Sequence, residues 1–201
     1  MKKQQFEREV PAQYEQVFYL NAKKAKVGII FNLIALAVMA LIVALACIPV
    51  NNFWEYVGTI HIVRYAVTYL LFIVAMLAYI VLHELAHGAM YKLMTGEKLT
   101  YGFSWSCAFC GVPNIYVTRK CAILSAAAPL VIFTVLLVPV TAALYFVDPL
   151  SYLLSAFLLG MHLGGCCGDI YLILTLLFRY RDPRTLVRDT GPEQTIYVPR
   201  D

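Results

Sequence analysis

Four long apolar blocks alternate with short polar stretches along this chain. They run from about Val27 to Val50, Tyr65 to Met94, Cys121 to Val147 and Leu150 to Phe178. About 20 apolar residues suffice for a helix to cross the hydrocarbon core, so each block is long enough to span a bilayer. Asn51 to Arg64, with Trp54 and Tyr56, suits the membrane–water interface between the first two spans. Asp148-Pro149 makes a tight link between the last two, and Pro129 and Pro139 are expected to kink the third. Residues 96–120 have a different texture. Lys98 to Trp105 and Asn114 to Thr118 carry β-branched and aromatic residues on either side of a turn marked by Gly111, Pro113 and Asn114. They predict a short hairpin at the membrane, or dipping into it. Tyr14, Val17, Phe18 and Leu20 give residues 1–26 a weak amphipathic character, expected as an interfacial helix. Residues 179–201 are expected as an extended polar tail. The pattern therefore predicts an all-α integral membrane fold in one domain, 1–201. It has four transmembrane helices and a short β-hairpin-like, cytoplasmic or re-entrant segment between helices two and three.

Composition agrees with a membrane protein. The chain of 201 residues is 61% hydrophobic and 14% charged, with mean hydropathy +0.72, whereas soluble domains carry about 25% charged residues. Charge also sets orientation. Of the 16 Lys and Arg residues, all but Arg64 lie in the two tails or near residues 92–120. The positive-inside rule then predicts both termini and the hairpin in the cytoplasm, in a multi-pass protein of a cell membrane. Topology accounts for the basic residues, so no nucleic-acid role is expected. Of the 6 cysteines, Cys107 and Cys110 form a C-x-x-C without the second pair that a zinc ribbon needs. An incidental or structural role is expected for them.

The second block contains His83-Glu84-Leu-Ala-His87, an H-E-x-x-H. Residues four apart share a helix face, so His83 and His87 can offer two imidazole nitrogens to one ion. Glu84 is placed to handle the proton of an activated water. Three ionisable groups in an apolar segment are costly and point to function. Catalytic zinc takes three protein ligands, and the metzincin third His is excluded because Met90 and Leu93 stand in its pattern. Among later acidic residues only Asp169 lies inside an apolar block. Asp182, Asp189, Glu193 and Asp201 fall in the predicted tail. His87 and His83 lie ~8 and ~14 Å inward from Lys92, and Asp169 ~15 Å inward from Arg179, so their depths are compatible. Gly164, Gly165 and Gly168 would let the fourth span approach the second closely. His162, seven residues before Asp169 and on its face, and Asn114 are candidates for a role behind the ligands or toward substrate.

His83-Glu-Leu-Ala-His87-Gly88, Ala128-Pro129 and Gly168-Asp169, in this order, resemble the bacterial "putative zincin peptidase" family over about residues 25–200. More distantly the layout is similar to the site-2 proteases, intramembrane metalloproteases in which two His and a later Asp bind zinc. Here Ile170 follows Asp169 where that family has Asp-Gly. The resemblance implies one Zn²⁺ ion and a metalloendopeptidase acting near the cytoplasmic side, with a membrane-associated polypeptide as substrate and membrane lipid around it. Two alternatives stay open: a non-enzymatic accessory or immunity protein with an inert metal site, and metal transport.

Overall fold

The computed structural model describes residues 5–51, 53–105 and 107–200. Four helical stretches are long and apolar enough to cross a membrane: Ala25–Cys47, Ile62–Thr95, Arg119–Tyr145 and Pro149–Arg179. The first three are single helices, α1, α3 and α4, and a short α2 (Phe53–Thr59) lies between α1 and α3. Pro129 and Pro139 do not interrupt α4. The fourth stretch is broken. Helix α5 (Pro149–Gly165) ends at Cys166, α6 (Cys167–Leu174) begins immediately after, and one π turn (Thr175–Arg179) follows. Asp148 caps α5, its carboxylate accepting from the Ser151 amide at 2.8 Å, with Pro149 in the first turn. Only 6% of the apolar windows of α1 and α3 is buried, against 44% in α4. Helices α1 and α3 therefore present rows of exposed Ile, Leu and Val, the kind of surface a bilayer covers.

The all-α expectation is overturned. Among the described residues, seven strands form two antiparallel sheets. Strands β1 (Phe6–Glu7), β2 (Tyr14–Asn21), β5 (Tyr116–Thr118), β6 (Leu186–Asp189) and β7 (Glu193–Pro199) make a five-stranded sheet in the order β1-β5-β6-β7-β2. Strands β3 (Thr100–Phe103) and β4 (Ala108–Gly111) make a separate pair. The expected interfacial helix is thus β2, and the expected extended tail is β6 and β7. Positions 14, 17, 18 and 20 suit a helical stripe, but the backbone of this segment pairs with residues 193–199, from Tyr14↔Pro199 to Asn21↔Glu193. A register shift between Gln16 and Phe18 absorbs the mismatch. The hairpin is also shifted. Within 98–105 only Thr100–Phe103 pairs, with Ala108–Gly111, and Tyr116–Thr118 joins the larger sheet between β1 and β6.

The chain forms two compact units. The first comprises the described residues of Met1–Asn32, His83–Pro129 and Gly168–Asp201. Its core packs Val117, Val187 and Ile196 of the sheet with Tyr91, Cys121, Ala122, Ala126, Leu172 and Leu176 of the helices. The second comprises Leu33–Leu82 and Leu130–Cys167 and is helical. There Gly160 and Gly164 let α5 lie against Met39 and Ala35 of α1, since a Cβ at Gly164 would collide with the Ala35 backbone.

Candidate metal centre

The predicted motif lies in α3, with its residues packed in the first unit. His83 is buried, and Glu84 and His87 are half-buried. The ligand-type atoms of these three residues lie within 4.8 Å of one another. Asp169 stands in the first turn of α6, where the helix N-terminus favours a carboxylate. Asp169 thus lies three residues past the irregularity at Cys166, within an apolar stretch. Its two oxygens face the two imidazoles: His83 Nε2 to Oδ2 is 3.5 Å and His87 Nε2 to Oδ1 is 3.4 Å.

The hydrogen bonding of His87 decides what this arrangement can hold. Its Nδ1 lies 2.8 Å from the Ser125 carbonyl oxygen. A carbonyl only accepts, so Nδ1 carries the proton and the neutral ring presents its Nε2 lone pair to Asp169. A lone pair then faces a carboxylate oxygen, and only a proton or a cation between them reconciles the two. Two donors each ~2.1 Å from a tetrahedral ion lie about 3.4 Å apart, the spacing found here. Two imidazoles and one carboxylate, with one ring oriented by a backbone carbonyl, suit zinc.

Strands β3 and β4 cover one side of the motif. The backbone of Cys110 hydrogen-bonds the Glu84 carboxylate, and Tyr101 lies opposite Cys110 in the ladder. Gly88 makes room for this cover, because a Cβ there would strike the Tyr101 hydroxyl. Burial, then the nearby Glu84 charge, pushes the Cys110 thiol up to about 12, which leaves it neutral and unreactive.

Two other sequence candidates, His162 and Asn114, have different surroundings. His162, in the second unit, is fully buried, with Nδ1 3.0 Å from the Tyr79 hydroxyl and Nε2 3.0 Å from the Thr134 hydroxyl. Asn114 is exposed in the turn between β4 and β5. Among the described residues, it takes no part in the hydrogen bonds of the cluster.

One residue near the site escaped the sequence reading. Asp189, assigned to a solvated tail, is 5% exposed. It accepts from the Tyr91 hydroxyl at 2.6 Å and the Gly191 amide at 2.8 Å, and burial pushes its carboxyl up to about 6. The signal was present in the sequence. Leu186-Val187 and Thr195-Ile-Tyr-Val198 flank Asp189-Thr-Gly191, the pattern of two strands and a turn.

No curated protein and no solved structure matches the chain. A family model does, over residues 76–182, which is just over half the length and includes His83, Glu84, His87 and Asp169. Its zincin character implies zinc and peptidase chemistry. The chain belongs to the family described as "Putative zincin peptidase".

Proposed function

We propose that this protein is a membrane-embedded zinc endopeptidase that cuts membrane-associated polypeptides near the cytoplasmic face. One observation carries the reading: the Nε2 lone pair of His87, fixed by the Ser125 carbonyl, faces the Asp169 carboxylate. His83, His87 and Asp169 would hold one ion. Bound zinc supplies Lewis acidity, which activates water at neutral pH and polarises the scissile carbonyl. The Glu84 carboxylate takes the water's proton and returns it to the leaving amine. The Cys110 backbone orients that carboxylate.

The ladder suggests how substrate is presented. A helix in lipid hides its carbonyls in internal hydrogen bonds, so it must be unwound before hydrolysis. Strand β3 pairs with β4 on one side, and its other edge can add a substrate strand beside the motif. The concentration of Lys and Arg around the tails and residues 92–120 supports a cytoplasmic site.

The test uses full-length protein in proteoliposomes with an unfolded transmembrane polypeptide as substrate. The wild type should carry one zinc per chain and cleave. Glu84→Gln should keep the zinc and lose about 10²–10⁴-fold in turnover. A wild type that binds zinc yet cleaves no better than Glu84→Gln would favour the inert metal site instead.

A further inference from the structure

Asp189 lies outside the matched segment and touches none of the ligands, yet it closes a ring of contacts around Glu84. Starting from Glu84, helix α3 runs seven residues to Tyr91, on the same face of the helix. The Tyr91 hydroxyl donates to Asp189 Oδ2 at 2.6 Å. The backbone carbonyl of Asp189 accepts the Val112 amide at 2.8 Å. Val112 directly follows β4, and from β4 the Cys110 backbone reaches Glu84. One residue thus grips the motif helix with its side chain and the covering strand with its backbone.

The turn after Asp189 is shaped for this grip. Gly191 has φ +99°, a left-handed conformation that favours glycine, and its amide donates to Asp189 Oδ1. A Cβ at Gly111 would collide with the Thr190–Gly191 backbone, and one at Gly191 with the Phe109 ring. Strand β4 and the turn therefore approach closely on both sides of Cys110, backbone to backbone at Gly111 and backbone to ring at Phe109. Burying a carboxylate here is costly, and an apolar side chain would fill the space at less cost. What the carboxylate adds is a fixed distance between α3 and β4.

We infer that Asp189 is a positioning residue for Glu84, holding β4 against α3 so that the Cys110 amide meets the Glu84 carboxylate. The inference rests on the proposed role of Glu84 for its effect on turnover, and on geometry alone for its effect on β4.

Three variants of the full chain in proteoliposomes test it. Asp189→Asn leaves one of the two donors without an acceptor, and Tyr91→Phe removes only the phenol oxygen. Ile196→Ala is a control that weakens the same core from a buried position outside the ring. Deuterium exchange of the 108–112 amides should quicken about tenfold in the first two variants relative to the control at matched thermal stability. Turnover on the transmembrane polypeptide should fall about tenfold in kcat, with KM and zinc content unchanged. Exchange at 108–112 no faster than in Ile196→Ala overturns the inference, as does an equal loss of kcat in that control. If Asp189→Asn does not fold, Tyr91→Phe is held to the same criteria. If the wild type cleaves nothing, the peptidase reading fails while the exchange result still decides whether Asp189 holds β4.

Discussion

Two histidines, one in each unit, show how neighbours separate a candidate ligand from a hydrogen-bonded ring. His87 and His162 both lie in helices long and apolar enough to cross a membrane. The ring of His162 has hydroxyls at both nitrogens, Tyr79 on one side and Thr134 on the other. A hydroxyl donates or accepts as needed, so a neutral ring with one proton satisfies both contacts. His87 has no such latitude. Its Nδ1 meets a carbonyl and its Nε2 meets a carboxylate, two acceptors where a neutral ring has one proton. The hydroxyl contacts of the first ring are satisfied as they stand, and the second ring calls for a proton or a cation between it and the carboxylate. Position in an apolar helix alone would not have told them apart.

The largest effects should fall on metal retention. Asp169→Asn should lower zinc affinity by more than the roughly 100-fold that losing an outer partner can cost, read as zinc per chain after dialysis against a chelator. His162→Gln should keep one zinc per chain, and equal loss in both variants would erase the contrast between the histidines. Next comes stability. His162→Ala should cost ~2–4 kcal/mol in reversible unfolding, because it opens a cavity and strands two hydroxyls. The glutamine variant, able to donate and accept, should cost about 1 kcal/mol or less.

Helix packing in the second unit gives a sharper, smaller test. Gly164→Ala should cost ~1–3 kcal/mol by driving a methyl into the Ala35 backbone, while Gly165→Ala, whose Cβ meets nothing within 4 Å, should be close to neutral. Neither should change zinc content.

A further effect is in pH. The Asp189 carboxyl titrates near 6 in the fold and near 4 when unfolded. Between these values the folded state holds the extra proton, so stability falls as pH rises from about 4 to 6 and returns as pH falls. Asp189→Asn should remove this slope, worth ~2–4 °C in Tm per kcal/mol. An unchanged slope in the variant would place the titration elsewhere.

What the sequence disclosed and what it hid divide along the same physical line. The apolar helices follow from length and composition, each readable within one window. His83, Glu84 and His87 follow from helical spacing, and Asp169 from being a carboxylate inside an apolar block. The sheet depends on partners far apart in the chain, such as Phe6 with Val117 and Tyr14 with Pro199. No local period encodes such pairing. Polar residues in 179–201 suggested solvation, although Thr185, Asp189 and Thr195 are buried there. Gly111 looked like a turn residue because glycine often is one; here its missing side chain lets two backbones meet.

The strand order β1-β5-β6-β7-β2 has a consequence for the making of the protein. Strands β6 and β7 are the last of the five to leave the ribosome, and they fill the middle of the sheet. Until they arrive, β5 and β2 have a gap between them and Tyr91 lacks its acceptor. Every helix that carries a candidate ligand is already synthesised by then. A nascent chain would therefore hold His83, His87 and Asp169 before it could hold Glu84 in place. This timing would keep the proposed hydrolytic centre incomplete during synthesis, when the chain's own unfolded segments lie within reach.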